Sequence, residues 1–397
     1  MTSFLKHVYP QGIYQTLYEF YNSFGSEMGT ENTSPWTQGS PLVTQIPGGP
    51  KPIGSINVKS GDLSYPKSWG NPNLRRKIAD YYNHYYGSNI TMENVMVFAG
   101  GRPGLLAVLM FLSKDVKVRV SSTEYTPYYD ILEFLKIKYS LVDCSEKNSF
   151  RPSINDLVGN KTNQRQLIFL SNPSNPTGIT KKGDTLKELV EKSSFNNSGL
   201  LIDEAYEIIN NPPVSAMSYI KSINDSNLFV CGAATKGLQA PGIRVGWVVA
   251  SKENIEILGN FSSFGIGGVS KLSQIYTENL LERGRTDLAH SAIPKFYDKQ
   301  RLMYADAFNN MGLDLFSGSG GFYHWCRLKN NKTAEDLNRE LFNSGAAILK
   351  GNDCDMKREG DESSLRNFFR FSFGSLDPNS FKSNIEILSK ALAAINQ

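Results

Sequence analysis

The run QLIFLSNPSNPTG at 166–178 decides how this chain folds. Leu, Ile, Phe and Leu follow one another without polar alternation, then two Asn-Pro steps break the pattern. An unalternating apolar run of this length, stopped by turn residues, predicts a strand buried on both faces. The same signature recurs outward in both directions. GLLID (199–203), LFVCGA (228–233) and RVGWVVA (244–250) follow it; VKVRVSS (116–122) and NVMVFA (94–99) precede it. Helical stretches at 103–113, 125–137 and 183–194 lie between several of these runs. Strand and helix in repetition predict an α/β layer with a mainly parallel sheet.

The two ends of the chain read differently. Residues 1–50 are rich in Gly, Pro, Ser, Thr and aromatics around a short helix at 11–23. Beyond residue 290 come amphipathic helices at 292–311, 333–344 and 378–396, with strand-like runs GFYHWCRL (321–328) and NFFRFSF (367–373) between them. The expectation is a large α/β domain at 51–285. A smaller α+β domain is then built from 1–50 and 286–397. A chain of 397 residues is in any case too long for one compact core.

Composition narrows the function. With 40% hydrophobic and 20% charged residues the chain is globular, and a net charge of +4 gives no reason to expect nucleic acid or a membrane surface as partner. Cys144, Cys231, Cys326 and Cys354 form no CxxC pair, and His7, His84, His290 and His324 are scattered. Neither a disulfide framework nor a metal site is expected, and free thiols fit a reducing compartment. There is no secretory h-region and no apolar stretch of about 20 residues, so the expected location is cytoplasmic.

Four residues fall where those strands end or begin: Asn175 after 166–171, Asp203 at the end of 199–203, Lys236 after 228–233, and Arg244 at the start of 244–250. Ligands of open α/β sheets bind outside the carboxyl ends of the strands. A carboxamide, a carboxylate, an amine and a guanidinium are thus gathered around one crevice. Taken singly each has an ordinary alternative: a loop lysine, an N-cap aspartate, a turn asparagine.

Together they resemble the class I/II aminotransferases of the pyridoxal 5′-phosphate (PLP) enzymes of fold type I. The resemblance rests on SNPSNPTG (171–178), DEAY (203–206), Lys236 and an arginine eight residues later, and extends from about residue 33 to the C-terminus. It implies a seven-stranded, mainly parallel sheet flanked by helices. It also implies PLP held as a Schiff base on Lys236, with Asp203 at the ring nitrogen and Asn175 and Tyr206 at the ring hydroxyl. Gly100, Gly101, Arg102 and Arg244 then take the phosphate. Tyr125, with Tyr128 as the alternative, stacks on the ring. Arg370 takes the substrate carboxylate, and Gly39 in WTQGSP (36–41) approaches it through its backbone. Tyr65 reaches the phosphate of a neighbouring subunit, which makes a homodimer with shared active sites.

The residue chemistry agrees with these roles. PLP needs an amine for its aldehyde, a carboxylate to keep the ring nitrogen charged, and a cation with backbone N–H groups for its phosphate. Gly100 and Gly101 allow close backbone approach, and Pro103 suits a first helical turn. In 367–373, Arg370 lies opposite the Phe369, Phe371 and Phe373 face, so the strand can hold it rigidly towards a cleft. The sequence departs from the family at Ala233, where relatives carry Ser or Thr; Thr235 and Arg102 can substitute at the phosphate. Either Asn172-Pro173 or Asn175-Pro176 can be cis.

The expected reaction passes an amino group between an L-amino acid and a 2-oxo acid by a ping-pong route. Elimination, decarboxylation or oxidation on the same fold, and a PLP-binding regulator, are the alternatives. Trp36, Trp69, Tyr14 and Phe264 are candidates for an aromatic substrate pocket, with bulk packing as the alternative. The segment 261–270 carries no arginine for a dicarboxylate side chain.

Overall fold

A computed structural model describes residues 4, 5, 12–159 and 163–396; His7 lies outside them. Seven strands form the larger sheet: β1 Val95–Phe98, β2 Lys117–Ser121, β3 Tyr139–Val142, β4 Gln166–Ser171, β5 Ser198–Asp203, β6 Leu228–Ala233 and β7 Gly246–Val249. Their spatial order is β1-β7-β6-β5-β4-β2-β3. The pairs from β6 across to β3 are parallel, while β7 runs antiparallel to both β1 and β6.

The unalternating sequence pattern has a direct cause. Ile168 and Leu170 of β4 pack into the core on one face of the sheet, and Leu167 and Phe169 into the core on the other. After the N-terminal helix α1 Ile13–Phe24, helices α2 Pro72–Tyr86, α3 Gly101–Met110, α4 Pro127–Phe134, α5 Ile154–Val158, α6 Asp184–Ser193, α7 Lys252–Phe261 and α8 Lys271–Leu280 surround this sheet, and the chain then enters the long helix α9, Arg283–Asn310. This last helix runs through Pro294, where the sequence reading placed its start near 292.

The second sheet is antiparallel, in the order β10-β11-β9-β8, from β8 Asp314–Leu315, β9 Tyr323–Arg327, β10 Leu349–Lys350 and β11 Phe368–Ser372. Helices α10 Ala334–Phe342 and α11 Phe381–Ile395 pack with it. The N-terminal segment joins this part of the molecule. Ser372 N–H donates to Trp36 O at 2.9 Å, and the buried Trp36 indole donates to Asn384 Oδ1 at 2.9 Å. Thr37 O accepts from Arg370 of β11, and Gly39, two residues on, lies against the Tyr323 hydroxyl of β9.

Candidate active site

The site forms at the rim where β4, β5 and β6 end. Register brings the three ends together: Ser171 at the end of β4 lies opposite Asp203 at the end of β5, and Asp203 lies opposite Cys231, two residues before β6 ends at Ala233. Because β7 runs the other way, the residues just before its start at Gly246 come to the same rim, which brings Arg244, two residues ahead of the strand, to the cluster. Arg244 takes a left-handed φ of 54° and donates from Nη1 to Pro241 O at 2.9 Å.

A cavity of about 290 Å³ opens there, lined among others by Gly101, Arg102, Tyr125, Asn175, Asp203, Tyr206, Thr235, Lys236 and Arg244. Gly100 sits at its edge with φ 106°, and a Cβ on it would run into the Arg244 guanidinium. Gly101 opens the ten-residue helix α3, so free backbone N–H groups face the cavity. Ala233 lines it without a hydroxyl, beside Thr235. Both Asn172-Pro173 and Asn175-Pro176 are cis.

Asp203 accepts from Ala205 N–H at 3.1 Å and from the Tyr128 hydroxyl at 3.0 Å. Burial raises its pKa, against the opposing pull of those donors and of Lys236 and Arg102. Tyr128 is fully buried under the site against Phe169, whereas Tyr125 is half-buried and lines the cavity. The geometry therefore separates two tyrosines that the sequence left as alternatives.

Lys236 Nζ donates to Gly39 O and lies 5.8 Å from the Tyr206 ring centroid. Its pKa falls to about 7, chiefly through burial and then through the Arg370 and Arg102 charges, with Asp203 pulling upward. A lysine near this value is substantially neutral at neutral pH and therefore nucleophilic.

Arg370 is only 3% exposed. It donates from Nη1 to Asn175 Oδ1 at 2.8 Å and from Nη2 to Thr37 O at 2.5 Å. Its Cζ stands 4.3 Å from the Tyr323 ring centroid. Its Nε is buried without a partner, and among the described residues it forms no ion pair with an acid. A buried guanidinium held only by neutral groups is poised for an incoming anion.

Of the residues to which the sequence assigned a cofactor or carboxylate role, all but one gather here. Tyr65 stands apart, 93% exposed. Of the proposed pocket aromatics, Trp36 is core and Trp69 donates to Ile255 O at 3.0 Å, while Phe264 is exposed. Only Tyr14 of the four borders the cleft above the cavity.

Three residues escaped the sequence reading. Tyr323 of β9 hydrogen-bonds the Tyr206 hydroxyl while its ring faces Arg370. Ser171 Oγ accepts from Asn175 N–H at 3.0 Å and donates to Glu124 Oε2 at 2.9 Å. Glu124, fully enclosed and raised to about 8 by burial, also accepts from Tyr125 N–H at 3.2 Å. Glu124 thus ties the half-buried tyrosine to the asparagine loop. The one sequence signal was a lone acid in an otherwise polar-neutral and aromatic stretch, STEYTPYY.

Residues 42–387 match the family model for aminotransferase class I and II. The chain belongs to that family. It is 24% identical over 347 residues to an aspartate aminotransferase of Sulfolobus acidocaldarius, covering 84% of this chain and 83% of that protein. It is 26% identical to one from Pyrococcus horikoshii, over 67% of this chain and 68% of the relative. A double mutant of Thermus thermophilus aspartate aminotransferase superposes with a TM-score of 0.77 at 17% identity, over 98% and 97% of the two chains. This aminotransferase has the fold of PLP fold type I and depends on pyridoxal 5′-phosphate. The residues present fit that group. Arg102 and Arg244 line the cavity with no ion pair to an acid among the described residues, glycines leave room beside them, and a half-neutral lysine faces a buried aspartate.

No described helix is long and apolar enough to cross a membrane, and no described His, Cys, Asp and Glu cluster to hold a metal. The four cysteines are buried and free.

Proposed function

We propose that this aminotransferase moves the amino group from an L-amino acid to a 2-oxo acid in two half-reactions at one site, by a ping-pong route. The observation that carries this is the gathering of Lys236, Asp203 and Asn175 on one cavity that opens onto the buried Arg370 guanidinium, itself held by Asn175 Oδ1 and Thr37 O with no acid partner among the described residues. When bound, PLP supplies an aldehyde that takes up the amino group and a ring that delocalises charge from the substrate Cα.

The chain's own residues do the rest. Lys236 Nζ tethers the cofactor and, once released, moves the proton at the substrate Cα. Asp203 holds a proton on the ring nitrogen. Asn175 and Tyr206 serve the ring hydroxyl, and Tyr125 lies against the ring. Gly100, Gly101, Arg102, Thr235 and Arg244 take the phosphate. Arg370 binds the α-carboxylate, with Gly39 beside it. Tyr65, exposed in the single chain, serves the phosphate of the second subunit of a homodimer, and the chain divides into domains 51–285 and 1–50 with 286–397.

Lys236→Ala tests the assignment. It is expected to lose the visible absorbance band of the lysine-linked cofactor and nearly all turnover; a retained band refutes it. Wild-type enzyme mixed with amino acid alone is expected to convert to the amino form of the cofactor and to revert on adding a 2-oxo acid. Release of ammonia or carbon dioxide instead refutes transamination.

A further inference from the structure

Above the cofactor cavity lies a cleft of about 670 Å³ that shares Lys236, Asn175, Tyr206 and Arg370 with it. Its outer wall is apolar. Ile13 and Leu17 of α1 face Pro103 and Leu106 of α3, Ile131 of α4 and Leu349 of β10. Helix α1 is fixed in place at both ends. At its start Gly12, with φ 54°, lies so close to Thr126 that a Cβ would clash with that side chain. Further along, Glu19 pairs with Lys350 at 3.5 Å, and Lys350 also pairs with Glu335 of α10 at 2.9 Å. Phe20 packs edge-on against Phe342. The apolar wall is thus a fixed part of the fold.

The charges that this chain brings to the cleft have assigned partners. Arg370 takes the α-carboxylate, and Arg102 with Arg244 serves the phosphate. No other lysine or arginine lines the cleft among the described residues, apart from Lys236 itself. One further charged group does: Asp130, whose Oδ1 is buried without a hydrogen bond and 3.9 Å from Arg358. A second carboxylate placed there would meet an acid.

We infer that this cleft is the side-chain subsite and that it selects an amino acid with a large apolar side chain, aromatic or long aliphatic, read by Leu17, Leu106 and Ile131. The inference rests on the reading of Arg370 as the α-carboxylate site. It departs from the acidic substrate named for the relatives above.

The test is calorimetric binding of unreactive carboxylates to the holoenzyme: propanoate, succinate and 3-phenylpropanoate. The expected order has 3-phenylpropanoate at least ~10-fold tighter than propanoate, since even single methylenes in an apolar pocket discriminate on that order. Succinate is expected to bind no tighter than propanoate. Leu17→Ala and Ile131→Ala, on separate helices, are each expected to weaken 3-phenylpropanoate several-fold and to leave propanoate unchanged. Succinate binding as tightly as 3-phenylpropanoate overturns the inference and assigns Arg102 to a second carboxylate. So do two variants that both leave 3-phenylpropanoate unaffected. The outcome is separable from the reaction. If the binding order holds while no amino acid yields the amino form of the cofactor, transamination fails and the subsite stands; the converse result removes the subsite alone.

Discussion

Replacing Arg370 with methionine separates what this side chain does for binding from what it does for folding. The guanidinium is 3% exposed and faces Asn175 Oδ1, Thr37 O and the Tyr323 ring, with no acid partner among the described residues. For binding, the change removes one half of a buried, hydrogen-bonded charge pair, which costs about 2–5 kcal/mol. At about 1.4 kcal/mol per decade this is a loss of roughly 30-fold to several thousand-fold in kcat/KM for any amino acid. The dissociation constant of a simple carboxylate should rise by a similar factor. For folding, two terms oppose. Loss of two hydrogen bonds from a charged donor costs about 1.5–3 kcal/mol each. Relief of a buried, uncompensated charge returns several kcal/mol. The net change in unfolding free energy is therefore small, within about 2 kcal/mol. The assays are half-reaction kinetics, calorimetry with propanoate and urea unfolding. A variant that keeps kcat/KM within about 5-fold of wild type, or whose activity loss is matched by an equal loss of folding stability, refutes the assignment of Arg370 to the carboxylate.

Glu124→Gln retains an acceptor for Ser171 and Tyr125 and should leave the absorbance and pH titration of the bound cofactor near wild type. Glu124→Leu leaves both donors buried and unpaired, at about 1–3 kcal/mol, and should shift that titration; equal behaviour of the two variants removes the positioning role. Gly100→Val forces a side chain into φ 106° and against Arg244, so cofactor affinity measured by dialysis and absorbance should fall by at least ~10-fold, through strain on the order of 1–3 kcal/mol. Burial lifts the carboxyls of Glu204 and Glu207 from 4.5 to about 8. The folded state thus binds protons that the unfolded state lacks between those values. Their stabilisation is full at low pH and is lost as pH rises through 8. Thermal unfolding should show this fall from about pH 5 to 8, shallower in Glu207→Gln, while Lys236 contributes with the opposite sign above pH 7 in the cofactor-free protein.

The sequence made the strand ends legible and left the second layer of the site dark. Buried strands β4, β5 and β6 carry continuous apolar runs, so their ends, and with them Asn175, Asp203 and Lys236, could be located to within a residue or two. Strand β3 was missed because it is an edge strand, paired only with β2, and three of its four residues are half-exposed. Its sequence carries neither the apolar run nor strict alternation. The start of α9 was displaced because Pro294 resembles a first-turn proline, whereas the helix continues through it.

The roles of Tyr323, Ser171 and Glu124 were not legible for a different reason. Their roles depend on contacts between elements far apart in sequence: Tyr206 with Tyr323, Ser171 with Glu124, Arg370 with Asn175. Periodicity reports which face of an element is buried, not which partner it meets there. The reversal of β7 shows the same limit most sharply. A seventh strand running parallel would have placed the residue before it at the opposite edge of the sheet, about a strand length from Lys236. Only because β7 is antiparallel does Arg244, eight residues further along the chain, return to the rim beside Gly100. The short spacing between lysine and arginine is the chain length needed to turn back at that rim, and it carries topological as well as chemical information.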